Sequence, residues 1–140
     1  MEVWKDIKGF EGKYQISSLG NIKSLSNTKI YKDGRVFHYK EKILKSYPNR
    51  VGYHHVNLFF ETGKSKSVDL HRIAAETFLD NPLNKTEVNH LNGIKSDNRI
   101  NNLEWVTSSE NKIHGFRIGL YKRENQGPKK RNGNKLLSKT

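Results

Sequence analysis

Residues 88–114, VNHLNGIKSDNRINNLEWVTSSENKIH, concentrate the side chains of this chain whose order suggests chemistry. Asn89 and His90 close a short apolar segment, a polar loop containing Gly93 follows over residues 91–101, and Asn102 leads a second apolar run, Leu103-Glu104-Trp105-Val106. Histidine has an ordinary pKa that lets it exchange a proton near neutral pH without heavy tuning, so His90 is the acid–base candidate.

The elements that must position these groups can be read locally. Thr107 and Glu110 have the spacing of a capping box, in which hydroxyl and carboxylate reciprocally satisfy orphan amides, and this predicts a helix beginning near Ser108 with Asn111 in its first turn. If the two apolar runs pair as antiparallel strands, the helix folds back across them and brings Asn111 close to Asn89. The result is a ββα unit.

The segment resembles the HNH nucleases of the ββα-metal superfamily, in particular those of phage homing endonucleases. The resemblance rests on Val88-Asn89-His90, Asn92-Gly93, Asp97-Asn98-Arg99, Asn102-Leu103-Glu104-Trp105-Val106-Thr107 and Glu110-Asn111, in the family's order and spacing. It implies that His90 is the general base, that Asn102 orients its imidazole, and that Asn89 and Asn111 hold one divalent metal per active site. Many relatives carry Asp or His at the position of Asn89, and a neutral amide is a weaker ligand than a carboxylate. Hydrolysis of a phosphodiester needs a water deprotonated near neutral pH, which His90 would serve in its neutral form. Two amide oxygens suit Mg²⁺ or Mn²⁺, with phosphate oxygens as remaining ligands.

Blander roles stand beside these. Asparagine in a polar loop is usually a turn former, and Asn92, Asn98 and Asn101 are read as loop builders. Trp105, Leu103 and Val106 are read as core.

The chain has 140 residues with 33% hydrophobic content, enough for one modest domain or two small modules sharing a core and too little for a large enzyme scaffold. It has no cysteine, which excludes disulfides and thiolate zinc sites and fits a reducing interior. No apolar run approaches the length of a membrane span, and the N-terminus lacks a signal-peptide core. The expectation is an intracellular protein of a bacterial cytoplasm, phage-encoded, with no membrane association. The formal charge of +12 points to a polyanion. Ten basic residues face three acidic ones over 22–66 and nine face two over 108–140, whereas 67–107 has four against six. Basic arms would grip a phosphate backbone while a slightly acidic centre attracts a cation.

Residues 3–25 show short apolar–polar alternation around a Ser-Leu-Gly turn, the pattern of a small hairpin, with Trp4, Ile7 and Phe10 packing on it. This part resembles the N-terminal modular motif that accompanies HNH domains in phage and intron nucleases, which implies a DNA-contacting or positioning module; a structural lid would use the same residues. In residues 29–39, KIYKDGRVFHY, Asp33-Gly34 between two strand-like runs signals a tight type I′ hairpin. Lys32 and Arg35 at its tip, with aromatic residues interleaved, suit a ribbon laid on DNA. Lysines protecting a sheet edge would look the same.

Residues 53–60 read as a strand with Val56, Leu58 and Phe60 on one face, returned by a turn into residues 67–70. His54 and His55 are adjacent, so a strand points them to opposite faces and they cannot share a metal. A helix over residues 71–79 presents Ile73, Ala74, Thr77 and Phe78 and ends at Asn81-Pro82. There the family resemblance extends to His71-Arg72; His71 is read as a packing or anchoring residue and Arg72 as a phosphate contact. Arg99, Lys112, His114 and Arg117 complete the candidate DNA-binding set, His114 doubling as a reserve metal contact. Residues beyond 122 are basic and polar, as in a flexible tail. Many relatives continue there into a helix-turn-helix targeting module, which this sequence does not show, so selectivity is reduced or comes from the N-terminal part.

The expected architecture is α+β: a β-rich DNA-contacting module over 1–47, a ββα-metal nuclease domain over 48–119 and a basic tail over 120–140. The expected activity is nicking or cleavage of double-stranded DNA. A DNA-binding protein on the same scaffold that no longer cleaves is the alternative, with an RNA-binding protein behind it. Monomer and homodimer both remain open, and no protein partner is evident.

Overall fold

The computed structural model describes residues 1–61 and 63–119; the tail expected over 120–140 lies outside the described residues. In chain order the strands are β1 Trp4–Asp6, β2 Tyr14–Ser17, β3 Ile22–Ser24, β4 Asn27–Ile30, β5 Val36–Tyr39, β6 Lys42–Ile43, β7 Tyr47–Pro48, β8 His54–Glu61 and β9 Lys64–Asp69. Helix α1 Leu70–Phe78, strand β10 Glu87–His90, a 3₁₀ turn at Ile100–Asn102, strand β11 Leu103–Val106 and helix α2 Ser108–Arg117 follow. This is the α+β arrangement expected, with N-terminal hairpins ahead of a ββα unit.

Among the described residues all strand pairs are antiparallel, in four sheets ordered β1-β2-β3-β6, β4-β5, β7-β8-β9 and β10-β11. The β4-β5 ribbon is therefore an excursion between two strands of the first sheet. Its tip differs from the expected two-residue turn. A type I′ turn needs positive φ at both central residues, but among the described non-glycine residues only Asn84 has positive φ, leaving Gly34 at +88° to make the reversal without Asp33. The Gly34 amide donates to the Tyr31 carbonyl and the Tyr31 amide to the Arg35 carbonyl, so the loop has three residues, a turn closed by a left-handed glycine.

One core joins the N-terminal sheet to the ββα unit. Ile7, Phe10, Ile16 and Ile22 meet Val56 and Leu58 of β8, Leu70, Ile73, Ala74 and Ala75 of α1, and Val88 and Leu103 of the last hairpin. The small alanines of α1 let sheets approach it from both sides, which makes this helix the platform behind the β10-β11 hairpin. Phe60, expected on the core face of β8, is 45% exposed, and it sits where the register of β8 against β9 shifts between Phe59 and Glu61, a break in the alternation of faces. Helix α2 starts with the capping box read from the sequence, the Thr107 hydroxyl accepting from the Glu110 amide and the Glu110 carboxylate from the Thr107 amide. It passes through Gly115 and ends at Arg117, before a left-handed Gly119.

Candidate active site

Strands β10 and β11 pair Glu87 with Val106, Val88 with Trp105, Asn89 with Glu104 and His90 with Leu103. Side chains alternate along a strand, so Val88, His90, Leu103 and Trp105 face α1, whereas Glu87, Asn89, Glu104 and Val106 face α2. Asn89 and His90 thus leave the end of β10 on opposite faces, from Cα atoms about 3.8 Å apart.

On the α1 face the His90 ring is 4% exposed and sits in an aromatic stack. Ring centroids are 4.6 Å apart for Tyr53 and His71, 5.8 Å for Tyr53 and His90, and 5.3 Å for His71 and His90. Burial pushes the His71 pKa down to about 4, helped by the neighbouring His90, and leaves its Nδ1 buried with no hydrogen-bond partner. Burial also lowers the pKa of His90, against the opposing pull of its bond to Asn98 and of the Asp97 charge. Both imidazoles are therefore neutral at neutral pH.

His90 Nε2 lies 2.8 Å from Asn98 Oδ1. A carboxamide oxygen only accepts, so Nε2 carries the proton and Nδ1 keeps the lone pair. The partner expected for the ring was Asn102, and that contact is made by Asn98 instead. Asn102 braces the loop: its Oδ1 accepts from the Asn92 amide at 3.1 Å, and its Nδ2 donates to Asn92 Oδ1 at 3.0 Å and to the Asp97 carbonyl at 2.9 Å. It fixes the course of the loop that carries Asn98.

Asn98, read from the sequence as a loop builder, is 5% exposed. The turn between β2 and β3 presses on it. A Cβ on Gly20 (φ +83°) would stand 2.7 Å from the Asn98 carbonyl oxygen, and the Ile100 amide donates to the Ser18 carbonyl. The N-terminal sheet therefore backs the loop that holds His90.

On the α2 face Asn89 Nδ2 donates to Glu104 Oε2 at 2.9 Å, and Asn111 Nδ2 donates to Glu87 Oε1 at 3.0 Å. Glu87, Asn89 and Asn111 consequently share one side of the hairpin. Carboxylates only accept, so each amide must present its NH₂ to them and turn its Oδ1 away. This donor set of hard oxygens beside two carboxylates fits a small divalent cation of the Mg²⁺ or Mn²⁺ kind.

The candidate DNA contacts are scattered. Arg72 donates to the Thr86 carbonyl at 2.9 Å and lies 5.7 Å from the Trp105 ring, while Arg99 is paired in bidentate fashion with Asp97, whose carboxyl it holds down at about 2. His114, the reserve metal contact, places Nε2 2.8 Å from the Leu91 carbonyl and so ties α2 to the hairpin mouth. Lys112 and Arg117 are exposed on α2, and Lys32 and Arg35 are exposed at the ribbon tip. Among the described residues no helix is long and apolar enough to cross a membrane.

Comparison with known proteins places this geometry in a family. Residues 2–59 match the NUMOD4 motif and residues 68–113 match the HNH endonuclease model. The chain is 43% identical over 117 residues to an uncharacterized HNH endonuclease of Acanthamoeba polyphaga mimivirus, covering 81% of this chain and 26% of that protein. It is 38% identical over 108 residues to DNA endonuclease I-HmuI of Bacillus phage SP01, covering 77% of this chain and 54% of the relative. A solved structure of I-HmuI, described as DNA binding and cleavage by an HNH homing endonuclease, superposes with a TM-score of 0.69 at 34% identity, covering 89% of this chain and 64% of that one. The chain thus spans about half or less of the length of these two curated relatives. With both of its segments matched in this order, the chain belongs to the HNH homing endonuclease family and carries a NUMOD4 motif ahead of its HNH segment.

Proposed function

We propose that the chain is an endonuclease that hydrolyses phosphodiester bonds of double-stranded DNA, with His90 as general base and one divalent metal held by Asn89 and Asn111. The observation that carries this is the buried, neutral His90 ring, fixed through Nε2 by Asn98 so that Nδ1 is left with its lone pair. A base in that state takes a proton from water at the moment of attack, and a fixed tautomer removes the cost of finding the right one. Asn102 keeps the loop, and with it Asn98, in register. When bound, Mg²⁺ or Mn²⁺ supplies charge stabilisation for the phosphoryl oxygens and the departing alkoxide. DNA is the proposed substrate because basic stretches flank this segment in the sequence and because the I-HmuI structure is described as binding and cleaving it.

A second reading, DNA binding without scission, is favoured by one observation: the proposed metal donors are neutral carboxamides already held by carboxylates. Supercoiled plasmid incubated with the full chain and Mg²⁺ or Mn²⁺ separates the two. Nicked or linear product that disappears with His90→Ala supports catalysis; retarded but intact plasmid in both metals supports the second reading.

A further inference from the structure

We propose that Glu87 and Glu104 are positioning residues of the metal site, aiming the two asparagine oxygens and supplying the negative charge that the asparagines lack. The inference rests on the preceding assignment of Asn89 and Asn111 as metal donors and goes beyond it to groups outside that pair.

The argument starts from what an amide can do. A free asparagine side chain can present either its oxygen or its nitrogen to a ligand, and the wrong face repels a cation. Here each is tied by its NH₂ to a different carboxylate, Asn89 to Glu104 at 2.9 Å and Asn111 to Glu87 at 3.0 Å. The hairpin register dictates the pairing. Asn89 stands directly opposite Glu104, and Glu87 lies two residues before Asn89 on the same face, below the first turn of α2 that carries Asn111. Two strands and a capped helix thereby deliver two amides, each with a carboxylate on its nitrogen side and its oxygen turned outward. Hydrogen bonds to charged acceptors are stronger than neutral ones, so the orientation is held firmly.

Charge follows the same geometry. Two carboxamide oxygens bring no formal charge to a divalent ion, whereas the two carboxylates behind them place two negative charges in the layer next to it. They also polarise each amide, since a donated N–H leaves its carbonyl oxygen richer in electron density. Groups that orient metal ligands typically change affinity by about 10- to 100-fold when removed.

The experiment titrates Mn²⁺ into the full chain, alone and with a DNA duplex, and follows the loss of the free-ion EPR signal. Glu104→Gln and Glu87→Gln keep an oxygen that accepts the amide N–H and lose only the charge; Glu104→Ala loses both. Each Gln variant is expected to weaken Mn²⁺ binding about tenfold, and Glu104→Ala more, with melting curves unchanged for the Gln pair. Nicking by Glu104→Gln should return towards the wild-type rate at saturating Mn²⁺. Should both Gln variants bind Mn²⁺ within about twofold of wild type while Asn89→Ala and Asn111→Ala lose it, the carboxylates have no such role although the metal site stands. A wild-type chain that binds no Mn²⁺ with or without duplex removes the metal assignment and this inference with it.

Discussion

Gly20 meets Asn98 so closely that a single methyl group on Gly20 would stand 2.7 Å from the Asn98 carbonyl oxygen. The two residues belong to segments matched by different family models, yet the side chain of Asn98 holds the ring of His90. The N-terminal motif is thus part of the wall of the loop that holds His90.

Gly20→Ala should therefore damage both stability and cleavage. The left-handed backbone costs an L-residue about 1–2 kcal/mol, and the clash with backbone atoms adds to it. Gly12→Ala is the control, because Gly12 has φ +78° but nothing within 4 Å of a new Cβ. Urea unfolding should show a loss of about 1 kcal/mol for Gly12→Ala and clearly more for Gly20→Ala. Plasmid nicking, measured where both are folded, should fall about 10- to 100-fold for Gly20→Ala alone. Equal nicking by the two variants would mean that the contact does not reach His90.

The divided labour of the loop asparagines gives a second expectation. Removing the proposed general base, His90→Ala, should lower the nicking rate by about 10²–10⁴-fold. Asn98→Ala should cost about 10- to 100-fold in rate with little change in DNA affinity, since it frees the ring without touching the surface. Asn102→Ala leaves the Asn92 amide and the Asp97 carbonyl short of partners and should show first as a loss of about 1–3 kcal/mol in stability. A rate defect in Asn102→Ala exceeding that of Asn98→Ala, at matched folded fraction, would reverse the assignment.

These residues also mark where the sequence stops being legible. The capping box and the short helix before the hairpin are written in local spacing, and they form as read because each depends on neighbours three or four residues away; the antiparallel hairpin is legible from its two apolar runs. Asn98 could not be told from Asn92 or Asn101 in that way. Its distinction is burial under the β2-β3 turn, a contact made across nearly eighty residues of chain. The turn at Asp33-Gly34 failed for a smaller reason: the dipeptide permits positive φ at Asp33, and the ribbon did not need it once Gly34 supplied the reversal. Nothing in the local sequence marks Glu87 and Glu104; only the strand register and the fold of α2 set them against the two amides.

His71 gives a pH prediction. Its folded pKa of about 4 lies below the 6.5 of an unperturbed imidazole, because it is buried beside Tyr53 and His90. Between these values the unfolded chain binds the extra proton, so its contribution is fully present above about pH 6.5 and is lost as pH falls towards 4. The loss is at most about 3 kcal/mol for one group. Urea midpoints should drop between pH 7 and pH 5, and His71→Phe, which keeps the ring stack and removes the unpaired Nδ1, should flatten that drop. His90 shifts in the same direction, so some slope should persist. A profile as steep in His71→Phe as in wild type would assign the acid sensitivity elsewhere.

The β4-β5 ribbon is exposed along nearly its whole length, and Arg35 at its tip is held by Asp33 at 2.6 Å and lies over the rings of Tyr31 and Phe37. A side chain fixed in this way loses little entropy on meeting a phosphate, and Lys32 beside it is exposed. If the ribbon lies on DNA, each of these cations displaces about one counterion. Lys32→Ala and Arg35→Ala should then each shrink the slope of log affinity against log salt by about 0.9, and the pair by nearly twice that. The weakening should be uniform across duplex sequences, because phosphate contacts carry no sequence information. The nicking rate with saturating protein should stay at the wild-type value, since the ribbon lies outside the β10-β11 hairpin and α2. Fluorescence anisotropy with a labelled duplex between about 50 and 200 mM salt, over which the Debye length falls from about 14 to about 7 Å, would measure it. An unchanged slope in the double variant, accompanied by self-association, would mark the lysine as a guard on an open sheet edge and move the DNA contact to α2, where Lys112 and Arg117 are exposed.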